Sequence, residues 1–427
     1  MDVLTRFLNY VKIPTMSDSN SGVTPSTDSQ RKLAQILVNE LINMGIEDVF
    51  YDKEHCYVYA HIEGKKDIPS VGFVSHLDTS EDVKGDNIKP RIISNYNGED
   101  IMLNDEIILS SKKYPDLLNH INKTLIVTDG TTLLGADDKA GIAEIMTMLE
   151  YFCTTKEEHG DIYICFTPDE EIGMGTEYLD YQKFNPDYAY TVDGSSLGEI
   201  SYENFNAASA KIEIDGVSTH CGSAKGKMVN SLILANAINS LLPHQVPANT
   251  EGYEGFYHLE KINGTVSHTS MSYLIRDFNK QNFEKRKEVI NEIVDKLNKK
   301  FNNCISLEIT DTYYNMMDIV SSNIEVVDIA KQSIKKTNVS PLVLPIRGGT
   351  DGTDVTFKGI PCPNLGTGGH NFHSVYEYIA VEDMEKVSTI LIEIVKSYSK
   401  EHNLIKRKKI YKKYKQGDFM FPCFLYK

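Results

Sequence analysis

The chain has 427 residues and a formal net charge of −16, from 44 Lys and Arg against 60 Asp and Glu. That length suggests two domains or three, and 41% hydrophobic with 24% charged residues is enough for sizeable cores. The acidic balance argues against a nucleic-acid binder, and no apolar run approaches the ~18 residues of a membrane span.

Met1 to Arg6 lacks the basic-then-apolar layout of a secretory signal. The seven cysteines are scattered and form no CxxC pair, which suits free thiols in a reducing compartment, so a cytoplasmic location is expected. Leu33, Ile36, Leu37 and Leu41 recur at helical spacing, with Gly45 as a C-cap. Ser70 to Val74 predicts a buried strand, Leu125 to Val127 is a further short apolar run, and Ile142 to Leu149 marks an amphipathic helix. Ile162 to Phe166 and Tyr188 to Val192 predict two more buried strands. This alternation predicts an α/β domain on a doubly wound, mainly parallel sheet.

The pattern changes near residue 207. Ala210 to Ile214 alternates as a half-exposed antiparallel strand does, and a helix is expected from about Val229 to Leu242, stopped by Pro243. Strands over Gly255 to Leu259, Thr265 to Arg276 and Ser306 to Asp311, with a charged helix from Phe283 to Phe301, complete a small α+β unit. Four antiparallel strands and two helices at 207–314 are thus expected to interrupt a catalytic domain formed by 1–206 and 315–403. Residues 404–427 form a basic, aromatic tail.

Polar clusters fall where the predicted strands end, at the edge where open α/β sheets bind ligands. They are Ser75 to Thr79, Gly135 to Gly141, Asp169 to Glu171 and Asp193-Gly194, with Gly368 to His373 in a later turn. Carboxylates gathered at one edge need a cation, and His with Asp and Glu suits Zn²⁺, or Mn²⁺ and Co²⁺ with less preference. The acids exceed what one metal uses, which points to two metals sharing a bridging carboxylate. Asp78 is placed to hold the second N–H of His76, and Glu170, beside a ligating Glu171, to take a proton from metal-bound water. His76-x-Asp78 with a distant histidine also fits a non-haem iron facial triad, but that leaves Asp137, Glu170, Glu171 and Asp193 unused. A non-catalytic peptide-binding protein would be expected to have lost one of these groups.

These segments, with Leu274-Ile-Arg-Asp-Phe278, Arg347-Gly-Gly-Thr-Asp-Gly352 and Gly369-His-Asn-Phe-His-Ser374, resemble the M20 metallopeptidases. The Arg276 and Arg347 segments resemble the tripeptide aminopeptidases within that family. The resemblance implies two Zn²⁺ per subunit: His76 and Asp193 on one, Glu171 and His373 on the other, and Asp137 bridging. It also implies Asp78 and Glu170 as catalytic residues, His220 as an oxyanion donor from a lid, and Arg276 and Arg347 as contacts to the peptide backbone or C-terminal carboxylate. The implied reaction releases the N-terminal residue of tripeptides with a free amine, and the inserted domain is implied to serve as lid and homodimer interface. Other M20 activities, dipeptidase or N-acyl amino acid deacylase, are the alternatives. The family usually has proline after the lid histidine, where this chain has Cys221.

Overall fold

Val71–His76 is buried along its whole length, which is what its unbroken apolar run requires of a strand covered on both faces. In the computed structural model, backbone is described for residues 1–415 and side chains for residues 1–400. The basic tail expected from 404 lies, in its side chains and beyond Lys415, outside the described residues. The chain divides into two compact units, one of 1–201, 319–343 and 350 onward, the other of 202–318 and 344–349.

The first unit carries an eight-stranded sheet. Its order is Asp48–Tyr51, Val58–Ile62, Ile162–Thr167, Val71–His76, Tyr188–Gly194, Asn364–Gly366, Glu199–Ser201, Leu342–Val343. The four strands from Ile162–Thr167 to Asn364–Gly366 run parallel. Outside them the sheet is mixed: Asp48–Tyr51 and Val58–Ile62 pair antiparallel, as a short connection dictates, and Val58–Ile62 joins Ile162–Thr167 antiparallel. The expected mainly parallel sheet is therefore confined to the centre. Leu125–Val127 also departs from that sheet. It joins a separate antiparallel sheet in the order Gly369–His370, Tyr378–Ala380, Leu125–Val127, Arg91–Ile93. Helix Ala136–Thr154 packs on the two central strands Val71–His76 and Tyr188–Gly194 and against the helix that starts at Val381.

The second unit has a four-stranded antiparallel sheet, ordered Phe256–Gly264, His268–Asp277, Asn206–Asp215, Ile305–Tyr313. Along His268–Asp277 buried and partly exposed residues alternate, so one face is covered and the other open. Helices Ser231–Leu241 and Lys280–Lys300 supply the cover, with Leu234, Ile238, Phe283 and Ile290 meeting Ile212, Tyr273 and Ile275. Each helix starts on an asparagine cap: Asn230 accepts from Leu232 N–H at 3.0 Å and Asn279 from Asn282 N–H at 3.0 Å.

Candidate active site

The central parallel strands deliver chemistry to their carboxyl ends. His76 ends one strand, and its register partner Thr167 ends the next. Glu170 and Glu171 follow in the short turn Glu170–Ile172, and Asp193 lies near the end of Tyr188–Gly194. Asp137 opens helix Ala136–Thr154 behind Gly135, whose φ of 77° is a left-handed conformation that a side chain would oppose. His373 sits in the turn after Gly369–His370, where Ser374 Oγ donates to Asn371 O at 2.6 Å and Asn371 Nδ2 to Tyr376 O at 3.1 Å.

Those residues converge. His76 Nε2 lies 2.9 Å from Asp137 Oδ1 and 3.4 Å from Asp193 Oδ1. His373 Nε2 lies 3.2 Å from Asp137 Oδ2 and 2.9 Å from Glu171 Oε2. Asp137 thus offers one carboxylate oxygen to each imidazole. His76, Asp137 and Glu171 can present ligand atoms to one ion, as can His76, Glu170 and Asp193. The Asp78 carboxylate serves both sides of the cluster. It lies 3.2 Å from His76 Nδ1, and it accepts from the backbone N–H groups of Glu170 and Glu171 at 3.0 and 3.1 Å. Because Asp78 faces Nδ1 while Nε2 faces Asp137, His76 and Asp78 do not form two corners of an iron triad. The Glu170 side chain makes no hydrogen bond or ion pair among the described residues.

The electrostatics are those of a cation site. Burial, together with the Asp193 charge, holds the Glu170 carboxyl well above its usual range. Burial and Asp137 push Glu171 up to about 7, and burial pushes Asp193 up to about 6. His373 is pushed up to about 11 by its bonds to Asp137 and Glu171. In His76 burial opposes the charged form, but Asp193 and Asp137 outweigh it and the pKa is raised. Glu171 Oε1 is buried without a hydrogen-bond partner. An orphaned carboxylate oxygen among crowded acids and two imidazoles fits divalent metal, because a cation supplies the charge the protein does not.

The remaining expected residues belong to the second unit. His220 is exposed, and its Nδ1 accepts from Gly222 N–H at 3.2 Å. Cys221, beside it, is an exposed free thiol. Arg276 lies over the Tyr313 ring, 5.2 Å from its centroid, and makes no ion pair among the described residues. Arg347 is engaged differently. It donates to Gly252 O at 2.6 Å, Glu254 O at 3.1 Å and Thr250 Oγ1 at 3.0 Å, and lies over the Phe205 ring.

Residues 129–397 match the profile of peptidase family M20/M25/M40. The chain belongs to that family. Among curated M20 relatives, it is 51% identical over 406 residues to "Peptidase T" of Caldanaerobacter subterraneus subsp. tengcongensis, covering 93% of this chain and 99% of that protein. It is 50% identical over 404 residues to "Peptidase T" of Halothermothrix orenii, covering 93% and 99%. The fold matches the crystal structure of aminopeptidase PepT from Bacillus cereus with a TM-score of 0.74 at 22% identity, over 93% of this chain and 98% of that one. This M20 chain is therefore a peptidase-class hydrolase.

Further carboxylates and a lysine surround the M20 cluster that spacing did not single out. Glu377 is fully buried and accepts from the N–H groups of Leu134, Gly135 and Asp137 at 2.6, 2.8 and 3.2 Å. Asp138 accepts from His76 N–H at 3.1 Å and from the Ser75 hydroxyl. Asp169 accepts from Ser26 N–H at 2.7 Å and Gln30 Nε2 at 2.6 Å, tying the segment before helix Gln30–Asn43 to the turn that carries Glu170. Lys139 is buried, donates to Ile13 O at 2.8 Å, and is brought down to about 7 by burial. Asp351 accepts from Thr167 Oγ1 at 2.6 Å. Asp138, Lys139, Asp169 and Asp351 lie inside segments the sequence already marks, but neither spacing nor residue type separates them from their neighbours; Glu377 lies outside those segments.

Proposed function

We propose that the chain is a di-zinc aminopeptidase that releases the N-terminal residue of tripeptides. His76 and Asp193 would hold one zinc, Glu171 and His373 the other, and Asp137 both, with Mn²⁺ or Co²⁺ able to substitute. When bound, the metals supply Lewis acidity that makes water a nucleophile near neutral pH and polarises the scissile carbonyl. The observation that carries the reading is the unbonded carboxylate of Glu170 beside two imidazole–carboxylate groups that share Asp137.

Glu170 accepts a proton from the attacking water at its carboxylate oxygen and delivers it to the nitrogen of the leaving amine. Asp78 acts through others: it orients His76 at Nδ1 and fixes the backbone of Glu170 and Glu171. His220 would donate to the developing oxyanion. Arg276, with no carboxylate partner among the described residues, is suited to a substrate carboxylate. Arg347 supports the same contact through the 250–254 backbone it holds. The inserted domain serves as lid and as the interface of a homodimer, and the enzyme acts in the cytoplasm on short peptides.

Glu170→Ala tests the assignment. Metal content should stay at the wild-type value while kcat falls about 10²–10⁴-fold or more. Near wild-type turnover in that variant sinks the base assignment. A panel of di-, tri- and tetrapeptides and N-acyl amino acids tests the substrate class, and efficient release of acyl groups would replace this reading with a deacylase.

A further inference from the structure

Most carboxylates at the strand ends are accounted for. Asp137, Glu171 and Asp193 crowd the two imidazoles, Asp78 holds His76 and two backbone N–H groups, and Glu170 is the proposed base. Glu377 is filled by three backbone donors and Asp169 by Ser26 and Gln30. Asp138 has Ser75 and His76 N–H on one oxygen, while its other oxygen is sealed from solvent.

Asp351 is the exception. It is 5% exposed, and it opens helix Asp351–Phe357. Its Oδ2 accepts from Thr167 Oγ1 at 2.6 Å, which pins the side chain to the residue opposite His76 and three before Glu170. Its Oδ1 has no donor among the described residues, yet it is not among the sealed, unpartnered atoms. Gly175 leaves the room this oxygen occupies, since a Cβ there would come within 2.1 Å of it. Glu170 feels the Asp351 charge, and Asp351 feels those of His76 and Asp193. No lysine or arginine pairs with it among the described residues. This is a fixed, almost buried carboxylate with one open oxygen, tied to the end of the strand that leads into Glu170, and it has no cationic partner among the described residues.

We propose that Asp351 binds the α-ammonium group of the peptide substrate and so sets the requirement for a free N-terminus. This rests on the aminopeptidase reading above. A charge-assisted bond from the ammonium to Oδ1 would place the first residue with its carbonyl toward Glu170. The same bond would exclude N-capped peptides, whose neutral amide leaves the buried carboxylate unpaired.

The test compares Ala-Ala-Ala with propionyl-Ala-Ala, in which hydrogen replaces the α-amine. The wild type should favour the free amine by at least about 10³-fold in kcat/KM. Asp351→Asn should lower kcat/KM for Ala-Ala-Ala about 10–100-fold, chiefly through KM, and leave propionyl-Ala-Ala unchanged, so that the preference narrows by the same factor. Metal content should not change. A variant that keeps the wild-type preference overturns the role of Asp351 and leaves the aminopeptidase reading standing. A wild type indifferent to the amine overturns both. If Asp351→Asn does not fold, Gly175→Ala sets a methyl group against the same oxygen, displaces it, and should lower the preference in the same way. An unaltered preference in a folded Gly175→Ala variant also counts against the proposal.

Discussion

His370 gives a pH-dependent stability that can be worked out in advance. Its ring stacks on Tyr378 with centroids 4.9 Å apart, and its Nε2 lies 3.1 Å from His120 Nε2. His120 Nδ1 is 3.2 Å from Asp383 Oδ2, and Lys123 Nζ is 2.6 Å from Asp383 Oδ1. Two imidazole nitrogens at that separation share one proton. With His120 donating at Nδ1, His370 donates at Nε2 and keeps Nδ1 unprotonated. Adding a proton there charges a ring that burial and the neighbouring His120 both disfavour, and its pKa is pushed down to about 4. An unfolded histidine titrates near 6.5. Between these values the unfolded chain binds the extra proton, so stability falls as pH drops from about 6.5 toward 4. From pH 7.5 to pH 5.0 this one residue should cost roughly 2 kcal/mol. His370→Phe keeps the stack and removes the titration. The chain has no tryptophan, so urea unfolding is followed by far-UV circular dichroism. Chelator in both arms keeps metal release out of the comparison. The wild type should lose about 2 kcal/mol more than the variant over that interval. Equal losses would refute the buried neutral histidine.

Two further predictions concern stability. Glu377→Gln presents an NH₂ group to at least one of the three backbone N–H groups that Glu377 now accepts, which should cost about 1–3 kcal/mol and speed metal loss to chelator. Thermal unfolding and metal-release rates equal to wild type would contradict the anchoring role. Phe283→Ala empties a fully buried position in the second unit and should cost about 3–5 kcal/mol, read as an earlier unfolding transition of that unit. A loss below about 1 kcal/mol would mean that the core there repacks.

Periodicity located the elements around the site because the packing faces are local in sequence. The apolar run Ser70 to Val74 became Val71–His76, and the stripe from Ile142 to Leu149 became part of Ala136–Thr154. Leu125–Val127 shows the limit: an apolar triplet reads the same whether it joins the central sheet or the separate antiparallel one. The edge strand Asp48–Tyr51 and its neighbour Val58–Ile62 carry too short and mixed a pattern to fix their direction.

By itself the sequence determined which side chains gather at the strand ends, since parallel strands joined by helices send their carboxyl ends to one edge. His76, Glu171 and Asp193 meet there, whereas Asp137 and His373 reach the same cluster from segments that follow strands of the separate antiparallel sheet. Only the tertiary structure decided which carboxylates are already satisfied. Glu377 finds its donors more than two hundred residues away, His120 meets His370 across 250 positions, and Asp351 is left with one oxygen open. Burial and partners set the charge of a carboxyl group, and neither is a property of its neighbours in the chain.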